Sequence, residues 1–147
     1  MTELRSIQLL ATWKSALHKG GFRVTKPRLQ VMEIITSSPS PLTPQEIFQK
    51  SLELQSPPGI ASVYRTLEML EELNLIQQIH RHGGCHGIWP ALDGHKHFLI
   101  CTDCGNLQVI EGNDEIADYI HRIEAKTGYT VDEHWLQLFG LCENCSR

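Results

Sequence analysis

The sequence predicts an α+β protein in two parts: an N-terminal winged helix-turn-helix domain and a small α/β domain. Three observations support this. Four segments before residue 74 carry apolar residues at helical spacing, and a glycine-centred pair of short strands follows them. All five cysteines and seven of the eight histidines lie at position 80 or later. Charge is divided as well. Residues 1–30 hold Arg5, Lys14, Lys19, Arg23, Lys26 and Arg28 against Glu3 alone, whereas after residue 82 there are four basic and ten acidic residues. A basic front suits a polyanion and a Cys/His-rich back suits a metal ion, so the chain has two tasks.

The length of 147 residues fits one ordinary domain or two small ones. The share of hydrophobic residues is 41% and of charged residues 20%, a soluble globular balance. No apolar run is long enough to span a membrane. The first twenty residues lack a basic leader followed by a solid apolar stretch, so a cytoplasmic location with reduced thiols is expected, with no membrane and no small-molecule substrate as partner. The net charge of −4 argues against a nonspecific nucleic-acid coat but leaves room for a localised basic face.

The elements follow in order. "SIQLLATWKSALHKGG" has helical periodicity and stops at Gly20-Gly21. "VTKPRLQVMEIITSS" reads as a second helix, with Thr25 as N-cap and Pro27 in the first turn, where proline is tolerated. "TPQEIFQKSLEL" opens a third, with Thr43 and Glu46 at capping-box spacing around Pro44. After the breaker "QSPPG", "IASVYRTLEMLEELN" is a fourth helix, whose Val63, Leu67, Leu70 and Leu73 share one face that should be buried. "LIQQIHRHGGCHGIW" reads as two short strands around Gly83-Gly84. In a winged helix of this kind the fourth helix lies in the DNA major groove. Ser62, Tyr64 and Arg65 would then face double-stranded DNA, and Arg23 would reach its backbone or minor groove. The same amphipathic pattern also fits a merely solvated helix face.

In the back half, Cys101/Cys104 and Cys142/Cys145 form two CxxC pairs far apart in sequence. Four thiolates so arranged supply one closed tetrahedral zinc site, which is structural because no coordination position stays open. Cys85 stands apart, among His80, His82 and His86. His95 and His97 alternate on a predicted strand and so share one face. Glu111 follows the strand-like "NLQVI", Glu115 and Asp118 lie on the next helical stretch, and His134 lies beyond it. One thiolate with imidazoles and a carboxylate suits Zn2+. The plain alternatives are a small buried Cys85 and hydrogen-bonded surface histidines. Enzymatic function is not expected: there is no HExxH, GxSxG or P-loop, and no H-x-E segment precedes the first CxxC as in zinc deaminases.

"RVTKPRLQVMEII", "TPQEIF", "ASVYRTLEMLEELNLI", "HKHFLICTDCGN" and "LQLFGLCENC", in this order from about residue 9 to residue 145, resemble the ferric uptake regulator family. The resemblance implies a homodimeric, metal-dependent transcriptional repressor that binds a palindromic operator. Its parts would be a winged helix over 1–83, a hinge over 84–94 and a metal-binding dimerisation domain over 95–147. The four CxxC cysteines match the family's structural zinc site. Iron-sensing members carry a histidine before the third helix, a glutamate after the wing and a histidine three residues before the first CxxC. Here Pro41, Trp89 and Phe98 stand there. The Cys85-His86 pair is similar to the zinc uptake regulator branch, where a hinge cysteine is a sensory ligand. That similarity implies a regulatory site of Cys85, His95 or His97, Glu111 and a wing histidine such as His80, and a further site of His134 with His95 and His97. The competing readings are an iron- or peroxide-responsive repressor of the same family, with Fe2+ or Mn2+ at the regulatory site, and a zinc-stabilised protein-interaction module that does not bind DNA.

Overall fold

Trp13 and Leu17, one turn apart on the first helix α1 (Glu3–Lys19), are almost wholly covered, and the helical core grows around them. The computed structural model describes residues 3–92, 94, 96–112 and 116–146. The chain divides into two units, Met1–Ala91 and Leu92–Arg147.

In the first unit α1 ends where Phe22 N–H donates to Leu17 O and Gly21 adopts a positive φ of 78°. Helix α2 (Lys26–Ser37) follows, with Thr25 at the N-cap position and Pro27 in the first turn. Thr25 makes no side-chain cap hydrogen bond, so its backbone alone starts the helix. Helix α3 (Pro44–Ser51) carries the full capping box: Glu46 N–H donates to Thr43 Oγ1 at 3.2 Å and Thr43 N–H to Glu46 Oε2 at 2.7 Å. Helix α4 (Ile60–Glu72) buries Val63, Leu67 and Leu70 against Val31, Met32, Ile35 and Ile47, with Leu73 packed at the margin. The expected apolar face of α4 is therefore the buried one.

Strands β1 (Ile76–His80) and β2 (His86–Pro90) pair antiparallel, Ile76 opposite Pro90 and His80 opposite His86. The hairpin reaches through residues 86–90, which the sequence assigned to a hinge. The division between units falls after Ala91, because the cross-strand hydrogen bonds continue up to Pro90. Its base is locked to the helices by a bridge between Leu42 and Ile88, with N–H to O distances of 3.1 and 2.7 Å. Gly87 permits this approach: a Cβ there would lie 2.6 Å from Pro41 Cβ, closer than carbon atoms can pack.

In the second unit, β3 (Lys96–Cys101) is the central strand, antiparallel to β4 (Leu107–Glu111) and parallel to β5 (Gln137–Gly140), and helix α5 (Ala117–Thr127) lies between β4 and β5 in the chain. Phe98, Ile100 and Leu107 are buried. Helix α5 buries none of its residues, although its apolar positions fall on one face. Among the described residues no helix is long and apolar enough to cross a membrane.

Candidate metal centres and nucleic-acid interface

The sheet topology gathers the cysteines. Strands β3 and β5 run parallel with Cys101 opposite Gly140, so both end at the same edge and both CxxC turns leave from it. Thr102 N–H donates to Gly140 O at 2.8 Å and ties the two exits together. Each CxxC closes its own turn, by Gly105 N–H to Cys101 O at 3.0 Å and by Cys145 N–H to Cys142 O at 3.0 Å. The sulfurs of Cys101, Cys104, Cys142 and Cys145 all lie within 4.8 Å of one another. Cys104 Sγ and Cys142 Sγ are 3.8 Å apart. A tetrahedral zinc ion with Zn–S bonds of ~2.3 Å separates its sulfurs by ~3.8 Å, so the spacing fits that ion. It is far too long for a disulfide, and all four cysteines are free thiols.

The electrostatics of the cluster point the same way. The backbone N–H groups of Cys142 and Cys104 hold the Cys101 thiol down to about 6, against the ordinary 9. Cys104 gains from the Asn106 N–H, but the neighbouring Cys101 thiol and burial raise it overall. Cys145 is raised as well, first by the Asp103 carboxylate and then by Cys142 and Cys104. One thiolate thus forms readily, while its negative charge opposes a second. A divalent cation at the centre removes that opposition.

The other predicted metal ligands fall in two groups. Cys85 is exposed just before β2, and His80 and His86 are exposed at the turn end of the hairpin with ring centroids 4.2 Å apart. His82 is exposed in the turn between them. In the second unit His97 is buried on β3 and its ring lies 5.6 Å from that of His134, which precedes β5. His95 and Glu115 lie outside the described residues. Glu111 is not beside His97. The register sets Lys96 opposite Glu111 and His97 opposite Ile110. Opposed residues share a face and neighbours alternate, so Glu111 points away from His97 and pairs with Lys96 instead.

The predicted DNA-facing residues converge in the first unit. Tyr64 and Arg65 lie on the exposed side of α4, opposite its buried stripe, and Ser62 is half-buried one turn earlier. Gln45 Nε2 donates to the Tyr64 hydroxyl at 3.0 Å and fixes the ring against α3. An open cleft of about 490 Å³ is lined by Arg23, Thr25, Arg28, Ser62, Arg65 and Thr66, among others, with no carboxylate in its wall. Sequence reading counted Arg28 only as front-half charge. Its Nη1 donates to Arg23 O at 2.7 Å and its guanidinium stands 5.6 Å from the Phe22 ring centroid, which holds it in the cleft. The signal was its place in the first turn of α2, beside the loop that carries Arg23. Three guanidinium groups and three hydroxyls in one concave wall suit a phosphate backbone.

The sequence profile of the ferric uptake regulator family matches residues 19–139. The ferric uptake regulation protein of Vibrio parahaemolyticus is 31% identical over 131 residues, 88% of this chain and 87% of that protein. The crystal structure of the Vibrio cholerae ferric uptake regulator superposes with a TM-score of 0.65 at 29% identity, covering 88% of this chain and 98% of that one. A zinc uptake regulator complexed with zinc and DNA shares the fold at a TM-score of 0.67 and 22% identity, covering 99% of this chain and 97% of that one.

Proposed function

The chain belongs to the ferric uptake regulator family of metal-responsive transcriptional regulators, and we propose that it is a zinc-responsive repressor of zinc uptake genes that binds a palindromic DNA operator as a homodimer. The observation that carries the choice of zinc is what fills the positions where iron-sensing members hold ligands. Trp89 and Phe98 are 4% and 3% exposed, and Pro41 is buried. All three lack a donor atom. The free thiol of Cys85, by contrast, is exposed, and a soft donor favours zinc over iron(II) or manganese(II). Iron remains the second reading, because the curated relatives at 30–31% identity are ferric uptake regulation proteins.

In this proposal Cys101, Cys104, Cys142 and Cys145 hold a structural zinc. Cys85 and His80 on the wing, and His97 and His134 with His95 in the second unit, are the regulatory donors. Glu111 is left out, since Lys96 engages it on the other face of the sheet. A homodimer is supported by the second unit's surface: Tyr119, Tyr129, Trp135, Leu138, Phe139 and Leu141 are all exposed. A unit of ~60 residues has only a marginal core of its own, and an apolar surface of this extent marks an interface. Two-fold pairing presents two α4 helices to two half-sites of a palindrome. Metal raises operator affinity to the extent that it binds the DNA-competent dimer more tightly than the alternative.

The test is an operator-binding titration with zinc, iron(II) and manganese(II) at buffered free-metal levels. Zinc should activate at the lowest free concentration; activation by iron at a lower level would transfer the chain to the iron reading. Arg65→Ala is expected to cost about 1–3 kcal/mol of operator affinity if the contact is bidentate to a base, and to flatten the salt dependence by about one unit of slope if it is to phosphate. Fluorescence anisotropy across a salt series distinguishes the two. Unchanged affinity at every salt concentration would remove Arg65 from the interface.

A further inference from the structure

The exposed face of α4 has two flanks of different chemistry. On one flank Ser62, Arg65 and Thr66 line the cleft with Arg23 and Arg28, a cationic wall suited to phosphate. On the other, Tyr64 lies about 100° around the helix from Arg65 and meets α3. Glu68, one turn further on and exposed, stands on the Tyr64 side. Arg81, the cation that reaches α3, is engaged by Glu46 at 2.7 Å. This flank therefore sets a carboxylate and neutral dipoles where the cleft sets guanidinium groups. Such a surface sits poorly against a phosphate chain and suits the uncharged edges of bases.

Gln45 is the α3 residue that touches it. It lies in the first turn of α3, between the two members of the capping box, Thr43 and Glu46, so its backbone is fixed. Its Nε2 donates to the Tyr64 hydroxyl at 3.0 Å, across 19 residues of sequence. Both side chains are exposed and neither belongs to the hydrophobic core. A hydrogen bond in water contact adds little to stability. It does settle the direction of the phenol proton. An oxygen that already accepts from Gln45 gives its own O–H away from α3. In the major groove, N7 and O6 of guanine, N7 of adenine and O4 of thymine can accept that proton, whereas cytosine presents an N4 donor.

We propose that Gln45 is a positioning residue for sequence reading. It holds the Tyr64 hydroxyl as a donor to an acceptor on a base edge, and the pair discriminates against cytosine at one position of each half-site. This rests on the reading of the chain as an operator-binding dimer, and adds to it the α3 residue that sets a base preference. Arg23, Arg28 and Arg65 supply attraction to the duplex; Gln45 and Tyr64 supply selectivity.

The full-length dimer, loaded with the activating metal and offered a pool of randomised palindromic duplexes, tests this. The parent should select duplexes in which one position of each half-site is depleted of cytosine. Gln45→Leu and Tyr64→Phe should each weaken binding to the parent's selected duplex by about tenfold. Both should lose that same depletion and keep the preferences elsewhere. The double variant should lose no more than either single one, because Gln45 acts through the Tyr64 hydroxyl. Thermal unfolding midpoints should match the parent's, since neither side chain is in the core. Additive losses in the double variant would overturn the proposal. So would an equal loss on every sequence with the depletion retained, which would assign Tyr64 to phosphate. A lowered unfolding midpoint in Gln45→Leu would make the bond structural and overturn it too. A parent that selects no duplex would sink the operator-binding reading and this inference with it. A parent that selects duplexes while Gln45→Leu behaves as the parent does would overturn this inference alone.

Discussion

Cys104→Ser is expected to strip the tightly held zinc from each chain and, with it, much of the stability of the second unit and its dimer. Cys104 is exposed, so the substitution leaves no cavity and buries no new polar group. Its effect must pass through the metal. Apparent zinc-binding free energies at sites of this kind are ~10–16 kcal/mol in small zinc domains, and that energy is folding energy where the core is small. Here the residues around the cluster are the ends of β3 and β5, whose parallel pairing spans only Phe98–Cys101 with Gln137–Gly140. The last turn, Cys142 to Ser146, is held in part by short local hydrogen bonds, Cys145 N–H to Cys142 O at 3.0 Å and Ser146 N–H to Cys142 O at 2.9 Å, and by the Cys142 N–H to Cys101 sulfur contact at 3.4 Å. Zinc content after dialysis against a chelator, together with sedimentation and thermal unfolding, checks the expectation. A variant that kept its full zinc and remained a stable dimer would show that three sulfurs suffice and that the cluster is not what holds the unit together.

The local features of this fold were legible in the sequence, because they are written in neighbouring residues. The Thr43/Glu46 capping box formed as its spacing required, and the α4 stripe of Val63, Leu67 and Leu70 is buried while Tyr64 and Arg65 are exposed. The four-cysteine cluster was legible for a different reason: a tetrahedral thiolate site demands two tight CxxC turns wherever they lie. What could not be read depends on register and on distant contacts. No local pattern says that β5 lies parallel to β3 rather than beside β4. Nor does any say that Lys96 and not His97 shares a face with Glu111. The strand pair around Gly83-Gly84 was legible as a hairpin, but the return of its second strand to Pro41 and Leu42 is a distant contact that no local pattern shows. Arg28 was not singled out because its place in the cleft depends on a hydrogen bond to the loop that holds Arg23.

Cys85→Ser is expected to leave the fold, the dimer and the structural zinc untouched while abolishing zinc-activated operator binding. A small buried apolar cysteine was the plain alternative, and its replacement would have damaged packing. The thiol is instead exposed beside Gly84, outside the hydrophobic core, so serine costs nothing in burial. What changes is the donor: a serine hydroxyl is a hard, neutral ligand where a thiolate is soft and charged. A tenfold loss of zinc affinity in the DNA-competent state corresponds to ~1.4 kcal/mol. A ligand must favour one state by ~5.5 kcal/mol to carry a two-state equilibrium from 1:99 to 99:1, so even a modest loss removes much of the response. Zinc content and operator binding should be followed together as buffered free zinc is raised. The parent should take up one exchangeable zinc per chain and bind DNA over the same range. The variant should keep only its structural zinc and stay weakly bound throughout. A response at the parent's free-zinc level would mean that the histidines sense the metal without the thiolate, and that Cys85 has no part in the regulatory site.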